Sequence, residues 1–544
     1  MSVRTSPPGA AEATLSFIGV FLLVFFFYRA LLSGLPVDDM PRYVDELGAN
    51  RFFWDLGHVW MQPLALLIHR ALGGWLSIVE TLEGINVASV AAGAAVFFAT
   101  LRRLGHGVPR ALAAVALLVV SFNLLSLGPT GHIKLMVFPC LALALHHAVL
   151  WEHRLGSSGY ASNGQGIAAG FWLGVGANLL VSILPMAVFV ALFMLRRLHQ
   201  AGRPLRAAVR GALPFCIAAF ASGALLLLLA YLTARASATT TEGLAGFVLH
   251  GLRDKQNLHV GFVGWRETPF RFAFSLVYNF VFLPNLGGLG RAALWGYVQD
   301  WSLSAGVLAR EASLLLLSLG VLLSITVAGL RRLRQPADAL LLPFGFILGA
   351  AAFSLYYNLN DPEHWFQFTL PLIFVAVQVR RRWLDALVLG LWLPLLAINN
   401  LALYGLPKAR FDVPAHELAL HDALGERGLY IGFAAYPGEP DSSLLNLNGI
   451  ERLQLDLALL NEHHGKVDAL LAATAARIDA TLDRGGQVLV FRALDPADWR
   501  GPAMQMKLAG LGEAEFRAAL ARRYQLSGPV LVAGFPAWRV SRSP

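Results

Sequence analysis

The chain has 544 residues, of which 56% are hydrophobic and only 14% charged, and its formal net charge is +9. Soluble domains carry about 25% charged residues, so this composition excludes an ordinary string of soluble domains, and the apolar excess is gathered into long runs, as in a membrane protein. The basic residues sit between those runs, where loop charge follows the positive-inside rule, so nucleic acid is not the implied partner; Cys140 and Cys216 lie inside apolar runs and give neither a disulfide framework nor zinc spacing.

The first run, Leu15 to Leu32, is preceded by Arg4 alone and followed by no small-residue cleavage site, so it reads as an uncleaved first helix. Further runs lie near 84–100, 111–127, 133–150, 166–180, 182–195, 212–232, 312–330, 339–357, 365–379 and 384–403, which makes about eleven membrane-spanning helices. The 166–195 stretch carries Asn178, Ser182 and Pro185 in its middle and reads as two short helices, with one broken helix as the alternative. Arginine clusters arbitrate. Arg102 and Arg103, His153 and Arg154, Arg196 and Arg197, Arg331 to Arg334, and Arg380 to Arg382 all fall at alternate helix ends. Placing every cluster in the cytoplasm gives a cytoplasmic N-terminus, two short spans at 166–195 and an extracytoplasmic C-terminus. Segments 34–80, 234–310 and 358–364 then face outward, with a short turn at 128–132; the apolar stretch 270–285 is too short to span and reads as interfacial.

From about Lys408 the composition changes. Helical periodicity at 414–425, 466–482 and 513–523 alternates with β-rich runs at Gly428–Phe433, Gln487–Phe491, Val530–Val532 and Trp538–Val540. Asp483-Arg484-Gly485-Gly486 closes the middle helix and leads into a strand. The expected architecture is a polytopic all-α membrane domain, 1–407, followed by a small extracytoplasmic α/β domain, 408–544. The α/β part shows no phosphate loop, nucleophile elbow or metal spacing.

The first outward segment reads Leu35-Pro36-Val37-Asp38-Asp39-Met40-Pro41-Arg42-Tyr43. Adjacent carboxylates repel, and such a pair can share a metal or a cation, or divide into a general base and its orienting neighbour. On spacing alone, a solvated loop with surface acids is the plainer reading. Trp54-Asp55-Leu56-Gly57-His58-Val59-Trp60 follows, with Asp55 and His58 on one face of any helical turn, and two tryptophans suited to a membrane interface. The second outward segment gathers His250, Arg253, Lys255, His259, Arg266 and Arg271 on the side where topology asks for no positive charge. These side chains suit a phosphate group, or equally anionic lipid headgroups. Glu363 and His364 stand just before a late helix, beside a turn made by Asn360-Asp361-Pro362, and Lys134 follows the 128–132 turn at snorkelling distance from the interface.

"Asp-Asp-x-x-Arg-Tyr" at 38–43, followed by the aromatic stretch and Gln62-Pro63-Leu64, resembles the GT-C glycosyltransferase superfamily, which includes protein O-mannosyltransferases, lipid A aminoarabinose transferases and bacterial arabinofuranosyltransferases. The resemblance covers roughly 13–403 and implies a GT-C-like fold and sugar transfer from a polyprenyl-phosphate donor at the outer face of the bacterial inner membrane. The acceptor hydroxyl would belong to a glycan, lipid or protein. It also implies Asp38 or Asp39 as the catalytic acid, Asp38 matching the first position of the motif, and a substrate site drawn from Arg42, Tyr43, His58, Lys134, Arg253, Lys255, His259, Arg266, Glu363 and His364. No cofactor is required by the resemblance; a divalent cation at the Asp38-Asp39 pair is an arrangement used by some members and not by others. A transporter or flippase for a lipid-linked saccharide, and a non-catalytic membrane assembly protein, are the competing classes. Transporters place charge at mid-membrane and often show inverted repeats, whereas here the notable charges fall in outward segments and no repeat is evident.

Overall fold

A computed structural model describes residues 10–32, 40, 43–44, 47, 59–73, 75–159, 162–237, 240, 243–248, 267–283, 286, 305–333, 339–356, 362–410, 412–433, 445, 447, 449–463, 465–499, 503, 506–507 and 509–543. By contacts the chain forms two compact units, one of residues 1–32, 39–281 and 317–401, the other of 33–38, 282–316 and 402–544.

The helices in chain order are α1 (Ala10–Arg29), α2 (Met61–Ala71), α3 (Ile78–Arg103), α4 (Val108–Val120), α5 (Phe122–Leu127), α6 (Phe138–Ser158), α7 (Asn163–Leu179), α8 (Leu184–Gln200), α9 (Leu205–Ala236), α10 (Glu267–Tyr278), α11 (Ala305–Arg332), α12 (Leu341–Tyr356) and α13 (Pro362–Gln378). The last apolar helix, α14 (Arg382–Ala409), contains two π-helical stretches, Ala386–Trp392 and Leu401–Gly405. Among the described residues seven helical segments are long and apolar enough to cross a membrane, and Val108–Val120, Leu341–Tyr356 and Trp365–Gln378 are shorter apolar helices. With the 17-residue α7 these account for the eleven expected runs. The protein is a multi-pass helical membrane protein. Exposed side chains on α9 such as Ile217, Phe220, Leu225 and Leu232 are apolar, which suits lipid and not water.

Local chemistry sets the helix ends. Ser77 caps α3 in a capping box, its Oγ accepting from the Glu80 amide (3.2 Å) while Glu80 Oε2 accepts from the Ser77 amide (2.8 Å). Gly159 ends α6 in the left-handed conformation, φ +68°. At the 166–195 stretch the chain turns through Leu180 and a short 3₁₀ turn, Val181–Ile183, and Pro185 opens α8. Gly166 in the first turn of α7 lies beside Met194 near the end of α8, so the two helices run antiparallel and the alternative of one broken helix is set aside.

Small residues let the helices approach closely. A Cβ added at Gly170 or Gly174 of α7 would fall on the backbone of Phe215 or Ala219 in α9, and Gly349 of α12 lies against the Met186 backbone of α8. Asn178 donates to the carbonyls of Gly174 (3.1 Å) and Gly223 (3.0 Å), which ties the same α7–α9 seam.

The C-terminal part is a five-stranded mixed sheet ordered β2-β1-β3-β5-β4, with β1 (Leu429–Gly432), β2 (Glu451–Gln454), β3 (Val488–Phe491), β4 (Tyr524–Val532) and β5 (Phe535–Arg542). β1 runs parallel to β2 and β3, in register at Leu429 with Glu451 and Val488; β5 is antiparallel to β3 and to β4. Helices α15 (Val413–Leu424), α16 (Val467–Asp483) and α17 (Glu513–Ala521) accompany the sheet. Leu420, Leu470, Ile478 and Phe516 from these helices close the core against Ile431, Val490 and Ala537 of the strands. Ala533 (φ +51°) and Gly534 (φ +83°) make the tight β4–β5 turn, where consecutive left-handed residues match the strand twist.

Candidate functional site

The site is built at the end of the helical unit where α3 begins. Met40, Tyr43 and Leu47 are helical and buried, and their i, i+3, i+7 spacing puts them on one face. That face presses on the turn after α5: a Cβ at Gly131 would meet the Met40 sulfur at 2.8 Å and Leu82 Cβ of α3 at 3.1 Å. A larger residue there would have to displace the end of the Met40 side chain, and Asn86 of α3 holds the turn in place. Its Nδ2 donates to the carbonyls of Leu127 (2.7 Å), Thr130 (3.0 Å) and Gly128 (3.3 Å), which satisfies carbonyls left open where α5 ends.

The turn delivers two ionisable side chains into the interior. His132 is buried, its ring 6.4 Å from that of Tyr43. Lys134, in the 3₁₀ turn Ile133–Val137, is 5% exposed. Glu83 of α3, also 5% exposed, lies between Leu82 and Asn86, the two residues that grip the turn. A carboxylate, an amine, an imidazole and a phenol are thus buried at one end of an apolar bundle. Groups of this kind are costly to bury and concentrate where a membrane protein does its work.

The first turn of α13 reaches the same place. Phe366 packs edge-on against Phe138, four residues beyond Lys134 (6.2 Å), and Gln367 Nε2 donates to Ser182 Oγ in the α7–α8 turn. Trp365 stacks on Phe368 (4.7 Å) and meets Phe272 of α10 (5.2 Å). The start of α2 is fixed from the other direction: the Trp60 amide donates to Asn178 O (3.2 Å) and its indole to Leu226 O (2.9 Å).

Of the residues expected from the sequence, Tyr43 and Lys134 are brought to this end, and Glu363 and His364 belong to the backbone of α13's first turn. Asp38, Asp39, Arg42, His58, Arg253, Lys255, His259 and Arg266 lie outside the described residues. Among the described residues no group of three or more His, Cys, Asp or Glu stands together as a metal site. Glu83 and His132 were not singled out by sequence reasoning. The available signal was an acid at the edge of an apolar run, three residues before an asparagine on the same helix face.

No family model matches the chain, and no curated protein matches it. Among solved structures it is similar to ArnT from Cupriavidus metallidurans bound to undecaprenyl phosphate, at 11% identity over 98% of this chain and 98% of that one, with a TM-score of 0.46. It is also similar to the archaeal oligosaccharyltransferase AglB from Archaeoglobus fulgidus in complex with an inhibitory peptide and a dolichol-phosphate, at 10% identity over 97% of this chain and 74% of that one, with a TM-score of 0.42. At these identities and TM-scores no residue's role passes from either structure to this chain.

Proposed function

We infer that this protein is a membrane glycosyltransferase that moves a sugar from a polyprenyl-phosphate donor to an acceptor hydroxyl. The observation that carries the reading is the burial of Tyr43, Glu83, His132 and Lys134 at one end of the bundle, Tyr43 following Asp38-Asp39 closely in the sequence. In this reading one of the two aspartates takes the proton of the acceptor hydroxyl. The hydroxyl oxygen attacks the anomeric carbon, the bond from that carbon to the phosphate oxygen breaks, and polyprenyl phosphate leaves with the bonding pair. Direct displacement inverts the anomeric centre. Lys134, with Arg253, Lys255, His259 and Arg266 of the cationic segment, offsets the charge that develops on the phosphate. Arg42, Tyr43 and His58 orient the sugar and acceptor, and Glu363 or His364, at the start of α13, reaches the lipid phosphate. The lipid tail lies between helices, with residues 1–407 as the transferase domain and 408–544 as an extracytoplasmic domain at the outer face of the inner membrane.

The test is incubation of the purified protein with a panel of polyprenyl-phosphate sugars, scoring free polyprenyl phosphate and sugar transfer. Cleavage of one donor supports the reading. Movement of the intact lipid-linked sugar across a liposome bilayer without cleavage would replace it with the transporter reading. Reporter fusions at 105, 335 and 544 read the orientation: the first two are expected in the cytoplasm and the last outside.

A further inference from the structure

Asn400 is the polar member of a buried row along α14, Leu384, Val388, Trp392, Leu396 and Asn400. Its Nδ2 donates to two carbonyls from distant parts of the chain, Val120 O at 2.8 Å and Phe280 O at 2.7 Å. Carbonyls only accept, so the amide nitrogen must be the edge that faces them, and an asparagine has two N–H bonds to give.

Both acceptors matter to the fold. Val120 is the last residue of α4, where the helix breaks before α5, so its carbonyl has lost the amide that a continuous helix supplies. In an apolar bundle such a group must find a partner within the protein. The break is filled by residues 279–280: the Phe122 amide donates to Phe280 O (3.0 Å), the Asn123 amide to Asn279 O (2.9 Å), and Asn279 Nδ2 to Thr369 Oγ1 of α13 (2.7 Å). Residues 279–280 directly follow α10, which also packs through Phe272 on Trp365 and Phe368 in the first turns of α13.

We propose that Asn400 is a positioning residue that locks residues 279–280 into the α4–α5 break and so fixes α10 beside the first turn of α13, where the donor's phosphate end is held. The proposal rests on the glycosyltransferase reading for its second half only. A leucine at 400 would fill the same space, take from Val120 O the donor that Asn400 supplies, and leave Phe280 O with the Phe122 amide but without the side-chain tie to α14. The strand-like pairing at 279–280 would then open more often, and α10 with it, while the α3 end of the site would be untouched.

The full-length protein in nanodiscs is compared as wild type, Asn400→Leu, Asn400→Gln and Asn279→Val. Hydrogen exchange is read at 277–283, and affinity is measured for undecaprenyl phosphate, the lipid product common to donors of this class. Losing two buried hydrogen bonds is expected to speed exchange at 277–283 by about tenfold or more in Asn400→Leu, with α3 and α6 unchanged. Affinity for undecaprenyl phosphate is expected to fall by a similar factor of about ten, with Asn400→Gln, which keeps the amide, recovering part of both. Asn279→Val cuts the neighbouring tie and gives the same local signature if Asn400→Leu does not fold. Unchanged exchange at 277–283 in both variants overturns the lock. Faster exchange with unchanged affinity overturns the positioning role. Absence of any binding by the wild type counts against the glycosyltransferase reading and removes the second half, while the exchange data still decide the first.

Discussion

Glu152 and Arg197, both fully buried, form an ion pair that also caps a third helix. Arg197 Nε donates to Glu152 Oε1 (2.8 Å) and its Nη2 donates to the same oxygen, while the amides of Leu341 and Leu342 donate to Oε1 (3.0 Å) and Oε2 (2.9 Å). One carboxylate thus joins the C-terminal ends of α6 and α8 to the N-terminus of α12, where the helix dipole favours negative charge.

Breaking this pair from one side leaves a buried charge alone, which costs about 3–5 kcal/mol. Arg197→Met is therefore expected to lower the thermal stability of the purified protein sharply. Glu152→Leu combined with Arg197→Met should recover part of the loss, because no charge remains, and part only, because the Leu341 and Leu342 amides stay unsatisfied. Additive losses in the double variant would show that the two residues do not act as a pair.

The α7–α9 seam gives a second prediction. A Cβ at Gly174 falls on Ser222 Oγ and Ala219 O, whereas one at Gly320 of α11 meets nothing within 4 Å. Gly174→Ala is expected to destabilise by about 1–3 kcal/mol through overpacking. Gly320→Ala should be neutral or stabilising by up to about 1 kcal/mol, since glycine is the poorer helix former. Thermal shift of the two variants side by side reads the difference; equal behaviour would mean the seam can spread at no cost.

Such contacts also mark what the sequence could and could not convey. The α7–α8 reversal was legible because Asn178, Ser182 and Pro185 punctuate it. The strands of the C-terminal sheet were legible where they are apolar; β2 was not, because in Glu451-Arg452-Leu453-Gln454 only Leu453 is buried. The break at Ser121 falls inside one apolar run, 111–127, and its cause lies elsewhere: residues 279–280 supply the hydrogen bonds from about 160 positions away. Lys134 read as a side chain reaching the interface, and its burial follows from the Asn86-held turn. The candidate site was legible as a motif, while the partners Glu83 and His132 come from packing that no local pattern encodes.

In the C-terminal domain His416 sits between the rings of Phe491 (5.3 Å) and Phe535 (5.9 Å). Burial, and then the nearby Arg492 guanidinium, push its imidazole down to about 4, against an ordinary value of about 6.5. The unfolded chain therefore takes up a proton that the folded domain refuses. The stabilising contribution is fully present above about pH 6.5 and is lost as pH falls through about 4. Limited proteolysis of the domain across heating steps is expected to show a lower unfolding temperature at pH 5 than at pH 7.5. His416→Phe should flatten that difference, and an unaltered pH slope in this variant would assign the effect to other groups.

The aspartate pair makes the fourth prediction. Removing a general base while keeping size and polarity costs about 10²- to 10⁴-fold in rate. Of Asp38→Asn and Asp39→Asn, one is expected to lose transfer by that factor with donor binding retained, and the other to lose less. Near-wild-type transfer in both and in the double variant would make the pair a surface feature and remove the base from the mechanism.

The last helix carries a consequence of a different kind. Its buried row repeats every fourth residue, from Leu384 to Asn400, whereas a regular helix turns every 3.6 residues and would carry such a row about 40° further round at each step. The π stretch Ala386–Trp392 takes up that surplus over the first two steps, Leu384 to Trp392, and it ends two residues before Pro394, a residue with no amide to give and a ring that crowds the carbonyl four positions earlier. Chain length here is therefore a phase variable. A single residue deleted between 386 and 392 could be absorbed by a return to ordinary winding, whereas one deleted between Leu393 and Ile398, where the helix is regular and holds no surplus, would rotate the row above it against Asn400 by about 100° and swing Asn400 off its two carbonyls. At its start Asp385 pairs with Arg110 (2.6 Å) and further on Asn400 holds its two carbonyls, so the rotation of this helix is fixed at two places.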